Sequence, residues 1–448
     1  MGGKGAVTSS ASGASGRMGR NVAFAALGNA FAPLAALATA PIMAQSLGVA
    51  GRGDVAAATA PLFLATTAAT FGIPAAVNYS IARHPRLMRS LALRGTVLIA
   101  IAGVLASTAV FLAAGFLSAG DPDLRELIVL AAVAIVPGLC VALLQAVAAG
   151  SHQWALVARE RFLTAATRLA AFIALAATGQ LTVFWGVVIL ALSPVLGGLA
   201  YFGLKQARVV ADDDDAPTIV TMNSLLGYGV RVWIGSISGV LLTRLDQTLM
   251  TPLAGSFALG LYVVAVSISE LPLIVNNAVR EVTFSADAAE NSDARLGLSS
   301  RLSTLAALSA AVMIGATLWW WLPPVFGEDF VPAIPVALIL LSAVVLGNPG
   351  SIAGIGLSSR GRPGTRSVSL LISCVVNAAA LVLLAPLFGA IGAALATLFG
   401  NVLASNLNIY FLWKHFRVPP ADFYLIRRSD FAVLKSIILK LAARFRRP

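Results

Sequence analysis

Apolar residues run along this chain in blocks of about 20, each closed by a short charged or Gly/Pro-containing break, and about 20 apolar residues make a helix that crosses a bilayer. Twelve blocks fall at 21–45, 56–80, 95–118, 127–149, 162–179, 182–204, 222–250, 256–279, 302–322, 330–355, 367–386 and 389–413. The pattern predicts an all-α polytopic membrane protein of about twelve transmembrane helices. The most polar break in the middle, KQARVVADDDDAPTI, carries Asp212 to Asp215 and separates two sets of six. Adjacent carboxylates without the Gly-containing alternation of an ion-binding loop read as a solvated linker, not a calcium site.

The predicted organisation is a Gly/Ser/Ala-rich disordered tail over 1–19, an N-lobe of six helices over 20–207 and an acidic linker over 208–220, then a C-lobe of six helices over 221–418 and a basic segment over 419–448. The two lobes are expected around a central cavity. Weak echoes link the halves: Gly48 and Gly53 follow the first block as Gly255 and Gly260 follow the seventh, and Pro137-Gly138 matches Pro349-Gly350. Parallel repeats of this kind build many transporters. In the basic segment, Phe431, Leu434, Ile438, Leu441 and Phe445 recur at helical spacing among lysines and arginines. They describe either an interfacial helix on an anionic leaflet or a basic tail that enforces orientation.

Composition narrows the class. The 448 residues are 58% hydrophobic and 11% charged, against about 25% charged in ordinary globular domains, which excludes a soluble enzyme, a secreted domain or a nucleic-acid binder. The net charge of +12 is explained by its distribution. With a cytoplasmic N-terminus, 26 of the 31 basic residues fall in inner segments, only Arg52 and Arg125 fall outside, and Arg168, Arg231 and Arg244 lie within spans. Lys and Arg are retained on the cytoplasmic side, so both termini are expected there, and Trp319, Trp320 and Trp321 fall at an outer interface.

Catalytic material is scarce. His84, His152 and His415 lie near block ends without metal-ligand spacing, Cys140 and Cys374 sit inside apolar blocks, and no phosphate-binding loop or nucleophile motif occurs. No cofactor, no metal and no enzymatic activity are expected. Charges inside the membrane are costly and mark functional candidates. Arg231, Gly235, Ser238, Gly239, Leu242 and Asp246 fall within an arc of about 100° at about 100° per residue, making one small, polar stripe. Close helix packing through small residues explains the glycines and serine equally well. Ser267, Glu270, Asn277 and Glu281 share a face of the next helix. Arg244 points away from Arg231 and Asp246, so it is expected to reach for the outer headgroups. Arg168 reads as a snorkelling anchor, and Asn29, Asn78, Gln145, Asn377 and Asn401 read as interhelical hydrogen-bonding groups.

MAQSLGVAGRGDVAAATAPLFLATTAATFGIPAAVNYSIAR, residues 43–83, resembles the first outer loop and second helix of bacterial polysaccharide flippases, members of the multidrug/oligosaccharidyl-lipid/polysaccharide exporter superfamily. Residues 227–282 resemble the start of that family's second lobe, through Arg244-Leu245-Asp246-Gln247 and the Tyr262–Glu270 run. The resemblance implies two six-helix lobes, inward and outward states, a bacterial inner membrane and a lipid-linked oligosaccharide as cargo. It also implies partners in the bilayer and, on the cytoplasmic side, glycosyltransferases or a polymerase complex, with no nucleic acid. Arg231 is then the first candidate for the diphosphate of a polyprenyl carrier, Arg52 or Arg244 the candidates near the outer mouth, and Asp246 and Glu270 the candidates for ion coupling or lumen polarity. Three alternatives stay open: a cationic-drug or metabolite antiporter of the same fold, a lipid II flippase, and a membrane glycosyltransferase, polymerase or ligase. The last needs a sizeable outer loop, and Asp54, Asp121, Asp123, Glu126, Glu328 and Asp329 are scattered over short ones.

Overall fold

In hydrocarbon a backbone N–H or C=O has no water to bond, so the chain crosses as continuous helix and changes direction in as few residues as possible. A computed structural model describes residues 8–205, 221–273, 283, 287, 292–425 and 430, with side chains from residue 34 onward except 231, 234 and 235. The helices are α1 (Thr8–Ala68), α2 (Ile73–Arg83), α3 (Met88–Leu117), α4 (Pro122–Val133), α5 (Ile135–Gly150), α6 (Trp154–Ala177) and α7 (Val183–Gly198). They continue as α8 (Met222–Ser269), α9 (Asp293–Phe326), α10 (Ala333–Ser359), α11 (Pro363–Phe416) and the short α12 (Ala421–Tyr424). Among the described residues there is no strand.

Three helices exceed what a membrane holds. At about 1.5 Å per residue the 54 residues of α11 would reach about 80 Å, twice a bilayer with its headgroups. Each long helix contains one non-helical glycine: Gly48 in α1, Gly255 in α8 and Gly389 in α11. In α11 the chain doubles back there. A Cβ on Gly392 would lie 2.1 Å from the Leu384 carbonyl oxygen, and one on Gly400 would lie 2.9 Å from Cβ of Asn377, pairs centred on the break. The same turn in α8 places Asp246 against Tyr262. Gly255 has φ 83°, a left-handed conformation that a residue with a Cβ adopts only under strain.

Eight stretches are long and apolar enough to cross a membrane, and three of them contain these breaks. Counting the halves separately, and adding the 24-residue α6 with its Arg159, Glu160, Arg161 and Arg168, gives the twelve crossings expected. The chain is an all-α, multi-pass membrane protein. It divides into two compact units, Met1–Ile234 and Gly235–Pro448. The expected linker, 208–220, lies outside the described residues, and the division falls inside α8. The first turns of α8 belong to unit 1 because Gly229 meets Gly72 there and the indole of Trp233 donates to the Ala68 carbonyl at 2.8 Å. Residues 8–19, expected as a disordered tail, form the first turns of α1; Ala and Ser there are compatible with helix.

Small residues set the packing. In unit 1, Gly186 lies against Val55 and Gly95 against Leu143 and Val77. In unit 2 the backbones of α10 and α11 touch: the Gly350 N–H donates to Ser405 Oγ at 2.9 Å and the Asn408 amide donates to the Gly350 carbonyl at 3.1 Å. Pro349 beside it lacks an N–H, and the side chains of α11 supply bonds where the α10 ladder is interrupted.

Two arginines counted above as topological charges are buried instead. Arg301 is 6% exposed and bonds both oxygens of Asp430, at 2.7 and 3.2 Å, and the Asp422 carbonyl at 2.8 Å. Arg360 pairs with Asp287 at 2.9 Å and Asp293 at 2.7 Å, over the ring of Phe416. The start of the basic segment is therefore packed into unit 2, with Phe423 buried. Its apolar repeat from Phe431 onward lies outside the described residues. Removing one partner of a buried pair strands the other charge, so Arg301→Ala is expected to cost about 3–5 kcal/mol. The double change Arg301→Met with Asp430→Leu should recover most of that in thermal denaturation of the detergent-solubilised protein; a double-variant loss equal to the sum of the two single losses would show that the pair carries no coupling.

Candidate functional site

The α8 hairpin concentrates the intramembrane charge of unit 2. Asp246 is 3% exposed. Its Oδ1 accepts from the Gln247 N–H at 2.7 Å, and its Oδ2 accepts a short hydrogen bond from the Tyr262 hydroxyl on the returning half of α8. Thr397, on the second half of α11, closes the cluster: its hydroxyl lies 2.9 Å from the Tyr262 oxygen and 3.3 Å from Asp246 Oδ2. No arginine pairs with this carboxylate among the described ion pairs. Hydroxyl donors satisfy it, so the cluster suits a carboxyl that exchanges a proton or a small cation without an ion pair having to break.

Next to it Asn377 is 1% exposed, and neither its amide nitrogen nor its oxygen has a hydrogen-bond partner. A Cβ on Gly400 would sit 3.0 Å from the Asn377 nitrogen and 3.2 Å from Leu242, one turn before Asp246. The interhelical hydrogen bond expected of Asn377 is thus absent. A buried amide with both ends unmet is costly, and here it lies about a turn from an acidic cluster.

Arg244 faces the other way, as two-residue spacing on a helix dictates. It meets Glu270 across the hairpin at 3.5 Å and the Gln247 side-chain oxygen at 3.4 Å. Both ends of the ion pair are about half exposed, 47% and 52%, so the pair is loose and open to exchange. Instead of reaching singly for headgroups, Arg244 has a carboxylate partner that the α8 turn delivers. In unit 1, Arg52 is 7% exposed and its Nε has no partner. Arg168, expected to snorkel, donates to Ser193 on α7 at 3.2 Å. The side chain of Arg231 lies outside the described residues, as do Asn277 and Glu281.

The structure therefore joins Arg244 to Glu270 and gives Asp246 to Tyr262 and Thr397. Tyr262 and Thr397 were not singled out beforehand, although Tyr262 opens the run that carried the family resemblance. Thr397 sits in an Ala/Leu-rich stretch with no signal of its own. Among the described residues no three His, Cys, Asp or Glu side chains gather as a metal site. Asp121, one of the scattered outer acids, caps α4 by accepting from the Asp123 and Leu124 N–H groups.

The sequence profile of polysaccharide biosynthesis proteins matches residues 18–284, more than half of the chain. The chain belongs to that family. Comparison with curated protein sequences finds no match. Among solved structures, this member of the polysaccharide biosynthesis family resembles lipid II flippase MurJ in an inward closed conformation, with a TM-score of 0.73 and 12% identity over 94% of this chain and 93% of that one. It also resembles an inward-facing multidrug resistance MATE transporter of the MOP superfamily, with a TM-score of 0.67 and 16% identity over 86% and 94%. A MOP superfamily transporter from Pyrococcus furiosus superposes with a TM-score of 0.57 and 15% identity over 90% and 95%. The fold is one that these three proteins share.

The cluster makes a stability prediction. Tyr262→Phe removes the donor to a buried carboxylate and is expected to cost about 2–3 kcal/mol. The loss should shrink in an Asp246→Asn background, read as thermal midpoints of single and double variants; a loss unchanged by Asp246→Asn would mean that Tyr262 acts through packing alone.

Proposed function

We propose that the chain is an alternating-access transporter that flips a lipid-linked oligosaccharide, of the polyprenyl-diphosphate type, from the inner to the outer leaflet of a bacterial plasma membrane. Both termini lie in the cytoplasm, where glycosyltransferases or a polymerase complex supply the cargo, and the chain performs no catalysis. The observation that carries this reading is the match to the polysaccharide biosynthesis family on a fold that a lipid II flippase shares.

The physical demand agrees with it. A diphosphate head crosses about 30 Å of hydrocarbon only along a hydrated path with compensating cations, while its lipid tail stays in the bilayer. Arg231 is the first contact assigned to the diphosphate. Arg52 and Arg244 serve towards the outer side, and the loose pairing of Arg244 with Glu270 lets an incoming phosphate take the carboxylate's place. Asp246, held by Tyr262 and Thr397, and Glu270 are assigned to ion coupling or to the polarity of the path. A cationic-drug antiporter of this fold would favour acidic groups in its spans. Across the twelve predicted spans the arginines Arg168, Arg231 and Arg244 are at least as numerous as the acids Asp246 and Glu270, which favours anionic cargo.

Three outcomes test the reading. Deleting the gene should leave lipid-linked saccharide on the cytoplasmic leaflet, and sensitivity to cationic dyes without any such precursor would favour drug export. Arg231→Ala should abolish surface glycan at unchanged protein abundance; normal glycan removes Arg231 from the path. Glu270→Gln should change the dependence of transport on the proton or sodium gradient, and an unchanged dependence takes coupling away from Glu270.

A further inference from the structure

One group of side chains in unit 1 is used neither by the packing nor by the residues assigned above. At the Arg83 end of α2 the ring of Tyr79 lies flat against that of Tyr228, with centroids 4.8 Å apart and planes 12° from parallel. Arg83, one turn on and the last residue of α2, holds its guanidinium carbon 5.3 Å from the centre of the Tyr79 ring. Tyr79 is 43% exposed and Arg83 is exposed.

The base of this stack is fixed. A Cβ on Gly72 would fall 2.0 Å from the Gly229 carbonyl oxygen, so α2 and the start of α8 cross with their backbones in contact. Beside that crossing the Trp233 indole donates to the Ala68 carbonyl at 2.8 Å and packs 5.1 Å from the Phe71 ring. The two tyrosines are thus presented from a rigid crossing. An arginine at an exposed helix end ordinarily samples many rotamers and loses that freedom on binding. A cation–π contact removes the freedom in advance and leaves the N–H donors for an anion.

The surroundings also point to an anion. Among the described residues no carboxylate pairs with Arg83. Arg86 and Arg89, both exposed, follow on the turn into α3. The end of α5 packs beside them, with Gly150 against Asn78 and Ile81 and the Ser151 hydroxyl 3.4 Å from the Met88 sulfur. The positive-inside rule explains arginines on this turn, but it asks only for charge; it does not ask that one of them be stacked on a paired aromatic support.

We propose that Arg83, positioned by Tyr79 and Tyr228, is a recognition site for a diphosphate head, where it bonds phosphate oxygens bidentately while Arg86 and Arg89 supply further positive charge. This deepens the flippase reading and rests on it: the site is where the carrier's head first engages, on the side to which the charge bias assigns the cytoplasm. Tyr79 and Tyr228 are positioning residues; Arg83 is the ligand-contacting one. Arginine is the fitting cation because its planar fork matches two phosphate oxygens, which a lysine ammonium does not.

The test is binding of a polyprenyl diphosphate to the full chain in nanodiscs of uncharged phosphatidylcholine, followed by flipping of the same lipid in liposomes. Arg83→Lys, which keeps the charge, and Tyr79→Leu, which removes the support, should each weaken binding by about tenfold or more, the scale of one lost charge-assisted bidentate contact. Tyr79→Phe, which keeps the ring, should stay within about twofold. Competition by inorganic pyrophosphate supports recognition of the head itself. Failure of pyrophosphate to compete, with Arg83→Lys still weakened, supports recognition of the lipid-anchored head. Wild-type affinity in Arg83→Lys, or equal displacement of the diphosphate by phosphatidylglycerol, overturns the site. If wild type flips the carrier and Arg83→Lys does so equally well, the site falls and the transport reading stands; if wild type neither binds nor flips it, both fall.

Discussion

No backbone polar group can be left unpaired in hydrocarbon, and the rest of this structure follows from that constraint. It forces the chain into helices longer than the membrane and confines three breaks to single glycines, two of which reverse the chain. A turn of one residue brings the two halves of a hairpin into side-by-side contact from their first turns. In α8 this is what sets Asp246 against Tyr262 and Arg244 against Glu270. The polar chemistry of unit 2 is thus a product of how the backbone turns, with the two faces of one helix sorted into a sealed cluster and an open ion pair.

The two arrangements differ in what they allow. The carboxylate of Asp246 is surrounded by hydroxyls and an N–H, which hold it without fixing its charge. Glu270 faces a guanidinium in a half-exposed setting where water competes for both charges. One group is kept out of contact with solvent and the other is open to it. The unmet amide of Asn377 adds polar capacity close to the first.

Much of this architecture is legible in the chain. Block length gave the twelve crossings, because the bilayer sets a ruler that composition alone can read, and the opposed directions of Arg244 and Asp246 follow from two-residue spacing. Partners across space are not legible. Tyr262 and Thr397 belong to ordinary apolar stretches, and nothing in their neighbours announces a carboxylate 16 and 151 residues away. Arg301 and Arg360 look like any loop arginines; only the return of Asp430 and Asp287 onto unit 2 reveals them as interior groups. The division inside α8 was likewise hidden, since the acidic linker is the obvious seam and the contact of Gly229 with Gly72 is not.

The pairing of Arg301 with Asp430 also sets a limit on shortening the chain. A truncation between Leu425 and Asp430 removes the carboxylate while leaving the guanidinium in an apolar interior, so the last acidic side chain of the sequence works as a structural stopper for unit 2. Reporter domains and purification handles joined after Asp430 leave that stopper in place, whereas the same handles joined at the end of α12 replace it with a linker that has no means of neutralising the cation.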